Sequence, residues 1–142
     1  MALSSEIVLF SGNSPAGGGG GLTLPSSPVN GFKSCSAITI IASIRGGAGG
    51  VLDVYIQDSS DGVKFYDYVH YTQLLAGGAL VTHSYSPSPI DNTLKLIGFD
   101  ATPALAANSA RGGHWFDQLR VLFVAGAGVA VAAQDIRVLA VR

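Results

Sequence analysis

Charged residues are scarce in this chain of 142 residues, making up 12% of it, against about 25% in an average soluble domain. The apolar fraction is 48% and the mean hydropathy is +0.41. Monomeric proteins rarely expose large apolar patches to water. We therefore expect other subunits to cover part of the surface, and a homodimer is the simplest such assembly.

Cysteine and glutamate each occur once, and the net charge is -1. A lone cysteine cannot close a disulfide within the chain, and Cys35, which is followed by Ala37 and Ile38, is predicted to be a small buried core residue. The eight lysines and arginines are scattered along the chain, so there is no basic stripe to neutralise phosphates. Nucleic acid is therefore not an expected partner.

Motifs that bind nucleotides or metals are also missing. The glycine-rich stretch 44–50 resembles a dinucleotide loop, but residues 51–57 alternate as a strand where that motif needs a helix. The three histidines lie far apart in the sequence, without the spacing of a metal-binding pair; they are His70, His83 and His114. No cofactor and no metal site are therefore predicted.

Hydrolytic and membrane-spanning signatures are missing as well. There is no Gly-x-Ser-x-Gly elbow. With a single glutamate, a carboxylate pair would have to come from aspartates, most of which lie in predicted turns or on solvent-facing sides of strands. The longest apolar stretch, 121–133, falls short of the ~20 residues that a spanning helix needs. We predict no catalytic residue, no enzyme and no membrane contact.

The main pattern in the sequence is an alternation of apolar and polar residues with a period of two. Residues 36–44 are predicted to form a central strand, and residues 51–71 form a β-hairpin around the turn Asp58–Gly62. Further strands are predicted at 6–10, 79–85, 93–99, 115–125 and 129–141, with one possible helical turn at 103–110. About eight to ten short strands indicate an all-β, single-domain antiparallel β-sandwich, jelly-roll-like in topology.

The first 34 residues differ from the rest of the chain in composition. They contain five consecutive glycines at 17–21, followed by Pro25 and Pro28. Glycine-rich chain has too much conformational freedom to pack by itself. Residues 1–34 are therefore predicted to be a flexible arm or loop-rich segment, and residues 35–142 the sandwich core.

Aromatic side chains provide the remaining candidates for a functional surface. Tyrosine and tryptophan bury a large area at low entropic cost. The tentative interface anchors are Tyr55, Tyr66, Tyr68 and Trp115. Each of these rings has an alternative place in the core, and for Trp115 the two alternatives are equally weighted.

The hairpin sequence 52–67, LDVYIQDSSDGVKFYD, resembles a segment that recurs in small virion proteins of tailed phages. With its length, low charge and abundance of glycine and alanine, the chain resembles the capsid cement (decoration) proteins of these phages. That resemblance implies a jelly-roll protein, often dimeric, on the outer surface of the virion, where it clamps neighbouring subunits of a major capsid protein of HK97-like fold. It implies no catalytic residue.

Two other functions fit the same sequence features. One is a neck or tail component of a phage, which would also be a non-catalytic assembling sandwich. The other is a carbohydrate-binding β-sandwich module, although such modules usually stack sugars on several exposed rings and this chain has one tryptophan.

Overall fold

The computed structural model describes residues 4–142, which form strands joined by loops and one 3-10 turn at Phe32–Ser34. The strands are β1 (Ser4–Asn13), β2 (Leu22–Pro25), β3 (Ala37–Ile44), β4 (Leu52–Ser59), β5 (Tyr66–His70), β6 (Val81–Tyr85), β7 (Ser109–Ala110), β8 (Gln118–Ala125) and β9 (Ala133–Val141). The prediction of an all-β chain is confirmed.

Two antiparallel sheets pack face to face. Sheet A has the strand order β1-β9-β3-β6, and sheet B has the order β2-β8-β4-β5-β7. Apart from the two-residue β7, the first strand pairs with the last, the second with the next to last, β3 with β6 and β4 with β5. This arrangement is a jelly roll, so the predicted β-sandwich topology is confirmed.

The core lies between the sheets and follows the predicted alternation. In β3 every second residue from Ile38 to Ile44 is buried, and in β4 Leu52, Val54 and Ile56 face them. The thiol of Cys35 is also buried, as predicted. Each fully buried aliphatic side chain contributes about 1.5 to 3 kcal/mol to stability.

The amino-terminal residues belong to the sandwich, which differs from the predicted arm. Strand β1 pairs with β9 from Ser4↔Val141 to Asn13↔Ala133, and β2 pairs with β8. Residues 4–34 thus supply a strand to each sheet, and the predicted boundary at residue 35 does not separate an arm from a core. The short β2 escaped prediction because glycines precede it and Pro25 ends it.

Two predictions for the long β6–β8 connection are wrong. Residues 93–99 form no strand, and residues 103–110 form no helix but end in β7. Asn108 has a φ of 57°, which lies outside the right-handed helical region. The 51–71 hairpin is confirmed as β4 and β5, with a register shift after Ile56.

Four loops meet at one end of the sandwich, and each of them crosses from one sheet to the other. They are residues 14–21, 45–51, 71–80 and 126–132, which we call the glycine end because most of the chain's glycines lie there. Backbone hydrogen bonds link the loops directly. They include Gly17 N to Val129 O at 2.9 Å, Gly128 N to Gly18 O at 2.8 Å, Ala130 N to Ala48 O at 2.8 Å and Gly77 N to Gly47 O at 3.3 Å.

Glycine allows this contact because the backbones approach too closely for a side chain. A Cβ atom on Gly17 would lie 1.8 Å from the carbonyl oxygen of Gly126, and one on Gly47 would lie 2.0 Å from that of Ala130. In contrast, a Cβ on Gly19 would have no neighbour within 4 Å. Within the five-glycine run, packing therefore requires a glycine at position 17, whereas position 19 has room for a side chain.

We expect Gly17→Ala to lower the free energy of unfolding by about 1 to 3 kcal/mol, because the added methyl group overpacks the glycine end. The matched control, Gly19→Ala, should change it by less than about 0.5 kcal/mol. Neither glycine has a positive φ, so the comparison isolates steric space. Urea denaturation measures both, and equal effects of the two substitutions would contradict the packing role of Gly17.

Candidate functional site

Within residues 4–142 no group of three or more histidine, cysteine, aspartate or glutamate side chains is placed to hold a metal ion. No helix in the same range has the length and apolar character needed to cross a membrane. The polar groups that the fold does bring together lie mainly on the outer face of sheet B and at the end of the sandwich opposite the glycine end.

His70 and Asp53 form the arrangement that most resembles a catalytic pair. The Nε2 atom of His70 lies 2.9 Å from Asp53 Oδ1, and its Nδ1 lies 2.8 Å from the carbonyl oxygen of Leu105. The hydrogen bond from His70 lowers the pKa of Asp53, while partial burial opposes that shift. Because both ring nitrogens are engaged, His70 has no nitrogen left to act on a nucleophile. The pair instead ties Leu105 to the sheet.

Asp67 anchors the long β6–β8 connection. Its Oδ2 accepts hydrogen bonds from the backbone amides of Gly98 at 2.8 Å, Ala104 at 2.8 Å and Leu105 at 3.0 Å. Its Oδ1 accepts one from Gln57 Nε2 at 3.0 Å. Burial raises the pKa of Asp67, but these hydrogen bonds outweigh it and leave the pKa below its usual value. One carboxylate thus holds residues 98–105 against the outer face of sheet B.

This connection covers the face of β4 that points away from the main core. Tyr55 and Gln57 are buried beneath the connection. The Gln57 Oε1 atom accepts from Arg120 at 2.8 Å, and the Arg120 guanidinium stacks 4.0 Å from the centre of the Phe65 ring. Sheet B therefore carries a second, polar packing layer outside the main core.

Asp58 fixes the following part of the same connection. Both of its carboxylate oxygens accept hydrogen bonds from Arg111, at 2.8 and 2.7 Å, and the Phe116 amide donates a third at 3.0 Å. The Asp58 side chain is fully buried. The Arg111 guanidinium lies 4.5 Å from the centre of the Tyr68 ring. Residues 111–116 are thus held in place by the ion pair between Asp58 and Arg111.

The four predicted interface rings do not form one surface. Tyr68 is fully buried and donates to the Gly113 carbonyl at 2.8 Å, and Tyr55 is buried against His70 with ring centres 3.8 Å apart. Burial leaves these two rings inside the protein, so their assignment as interface anchors is wrong. Tyr66 and Trp115 are half-buried, and Trp115 packs on the core and donates its indole N–H to Phe32 O at 2.9 Å.

Two groups of exposed aliphatic side chains were not singled out by the sequence. At the glycine end Leu75 is 67% exposed, and Leu80 and Val131 are about half exposed. On the β6–β8 connection, Ile90, Leu94 and Leu96 are almost fully exposed. The alternation of Leu94 and Leu96 was the available signal for the second group, but it was attributed to an ordinary strand.

The glycine end is also distinguished by its lack of charge. Arg45 is the only charged residue in its four loops, whereas the connections at the opposite end carry Lys33, Asp61, Lys64, Asp91, Lys95, Asp100, Arg111 and Asp117. Interface cores are depleted in charged residues. We therefore take the glycine end, with Leu75, Leu80 and Val131, as the candidate functional surface.

Comparison of the chain with protein-family models, with curated proteins and with solved structures yields no match. The chain's own residues and its jelly-roll topology therefore have to indicate the function. Because that topology hosts many unrelated functions, the surface chemistry has to distinguish among them.

We expect Asp67→Asn to lower the free energy of unfolding by about 3 kcal/mol at neutral pH, because an amide cannot match a carboxylate that accepts four hydrogen bonds. The folded pKa of Asp67 lies below 3.8. Its contribution is therefore complete above about pH 4 and is lost as the pH falls through the folded pKa. The difference between variant and wild type should shrink in acid.

Denaturant titration at neutral pH and at about pH 3 measures this change. Asp135→Asn, which removes an exposed ion pair with Arg137, is the matched control and should change the free energy of unfolding by less than about 1 kcal/mol. A variant as stable as the wild type at neutral pH would contradict the anchoring role of Asp67.

Proposed function

We propose that this chain is a structural protein of a tailed-phage virion, a cement protein that binds the outer surface of the capsid and joins neighbouring subunits of a major capsid protein of HK97-like fold. Three features support the proposal: the hairpin 52–67, the jelly-roll topology and the scarcity of charge. The proposal gives the chain no catalytic role and no cofactor.

The charge-poor glycine end is the observation that carries the proposal. A surface without charged groups loses little solvation when it is covered. Its loops are locked together by backbone hydrogen bonds, so binding would order little additional chain. Such a surface suits a permanent structural contact with another protein better than recognition of a charged ligand.

A cement protein needs only modest affinity at each contact. Each copy that touches two or more capsid subunits binds the second one at a high effective concentration, so weak contacts accumulate into firm attachment. Leu75, the most exposed aliphatic side chain of the glycine end, is the residue whose burial would contribute most at each site.

We expect Leu75→Asp to weaken attachment to the capsid at least tenfold, because a buried carboxylate without a partner costs more than about 1.4 kcal/mol. The measurement is co-sedimentation of the purified protein with shells assembled from the major capsid protein of the same phage. Val63→Asp is the matched control, since Val63 is 76% exposed beside the β4–β5 turn, away from the glycine end.

The control should attach as the wild type does, and both variants should unfold at the wild-type denaturant concentration. Failure of the wild-type protein to sediment with the shells would contradict the proposed function. Equal attachment of wild type, Leu75→Asp and Val63→Asp would show that the contact does not use the glycine end.

A further inference from the structure

A cleft opens at the end of the sandwich opposite the glycine end, where the β4–β5 turn meets the β6–β8 connection. Its volume is about 660 Å³, within the range of roughly 300 to 1,000 Å³ that is typical of small-molecule sites. None of its lining residues belongs to the glycine end. A ligand bound in this cleft would therefore leave the candidate capsid contact free.

Aromatic rings form the apolar part of the cleft. Tyr66 is half-buried and Phe116 is 40% exposed, so part of each ring is accessible. Asp58 holds both residues in place, since Tyr66 pairs with it across β4 and β5 and the Phe116 amide donates to its Oδ2 at 3.0 Å. Accessible rings offer apolar area to a flat apolar partner, and the C–H face of a sugar ring is of this kind.

Arg111 supplies hydrogen-bond donors at the same place. It donates three N–H groups within the protein, two to the Asp58 carboxylate and one to the carbonyl oxygen of His114 at 3.0 Å. A guanidinium carries five N–H groups, so two of them have no acceptor within residues 4–142. The His114 side chain, which also lines the cleft, is exposed. These groups can donate to the oxygen atoms of a polar ligand.

Asp91 supplies the matching acceptor. Its Oδ1 accepts from the Thr93 amide at 3.0 Å, and its Oδ2 lies 3.4 Å from the Lys95 ammonium. A carboxylate has about four acceptor positions, so positions remain for a ligand. Its Oδ2 also packs directly on Gly112, where a Cβ atom would lie 2.1 Å away. Because this carboxylate is already fixed, binding would cost little side-chain entropy.

The cleft carries no net charge. Its two charged lining residues are Asp91 and Arg111, and each has an opposite charge beside it, Lys95 and Asp58 respectively. An ionic ligand would gain little there, because these charges are already paired. A neutral molecule with one apolar face and several hydroxyl groups matches both the rings and the remaining hydrogen-bonding positions.

We infer that this cleft binds a neutral saccharide, with a sugar ring against Phe116 and its hydroxyl groups bonded to Asp91 and Arg111. The rim of the cleft is open, since Thr93, His114 and Phe116 are exposed, so the sugar can remain part of a longer glycan. With the glycine end on the capsid, the cleft faces away from the shell. Only this orientation rests on the proposed function, and saccharide binding does not.

Titration of the isotope-labelled protein with sugars, followed through its amide chemical shifts, tests the inference. The probes are the methyl glycosides of glucose, galactose, mannose, N-acetylglucosamine and rhamnose, with glucuronate and glucosamine as charged counterparts. We expect at least one neutral glycoside to bind in the millimolar range and to shift amides in residues 91–93 and 111–116. Binding of no neutral glycoside, binding of the charged sugars alone, or shifts confined to the glycine end would overturn the inference.

Two substitutions test the location of the site. Phe116→Ala should raise the dissociation constant roughly tenfold because the ring against the sugar is lost. Asp91→Asn, which keeps an oxygen for the Thr93 amide, should weaken binding by a similar factor because an acceptor of hydroxyl hydrogen bonds becomes a donor. Leu24→Ala is the matched control, since Leu24 is 47% exposed on β2, away from the cleft, and it should bind as the wild type does.

Denaturant titration shows whether each variant folds. A loss of affinity in either folded variant, but not in the control, supports the site, whereas unchanged affinity in both Phe116→Ala and Asp91→Asn would overturn it. Leu75→Asp should bind the sugar as the wild type does. A wild type that sediments with capsid shells but binds no neutral saccharide would refute this inference alone, and the reverse result would refute the proposed function alone.

Discussion

Close approach of backbones at the glycine end is the constraint on which the rest of the structure depends. Each of its four loops passes from one sheet to the other, so the hydrogen bonds between them fix the relative position of the two sheets at this end of the apolar core. They form because no Cβ separates Gly17 from Gly126 or Gly47 from Ala130. The same constraint produces a surface made largely of backbone and small side chains, which explains its lack of charge.

A different device holds the outer side of sheet B. The long β6–β8 connection lies there because Asp67 accepts three of its amides, while the Asp58–Arg111 pair fixes its later part. Buried carboxylates of this kind are stable only when their hydrogen bonds are satisfied. Residues 94–97 precede both fixed parts, and Leu94 and Leu96 are left exposed.

The sequence predicted the fold well where local pattern reflects burial. In β3 and in the hairpin 51–71, the apolar residues of the alternating pattern are the ones that face the core. It could not show that Gly17 is a packing position, since the contact of Gly17 with Gly126 joins residues far apart in the sequence. Composition alone does not distinguish a glycine that is flexible from one that permits close packing. The segment predicted to be an arm instead contributes one strand to each sheet, together with the loop that joins these strands.

Prediction of the site failed for a related reason. Tyr55 lies on the face of β4 away from the core, but long-range hydrogen bonds bring Leu105 over it. The alternation at 93–99 indicated strand-like sequence, yet only Phe99 of this stretch pairs with a strand, in a single bridge to Tyr66 of β5. Both errors concern contacts between distant segments, which a single sequence does not specify.

The central claim is that the chain is an outer-surface capsid protein attached through its glycine end, and an electron cryo-microscopy reconstruction of the intact virion tests it most directly. We predict jelly-roll density on the outside of the shell, in on the order of hundreds of copies, with the loops 14–21, 45–51, 71–80 and 126–132 against the major capsid protein. Density confined to the neck or tail, or a sandwich that meets the shell through its opposite end, would contradict the account.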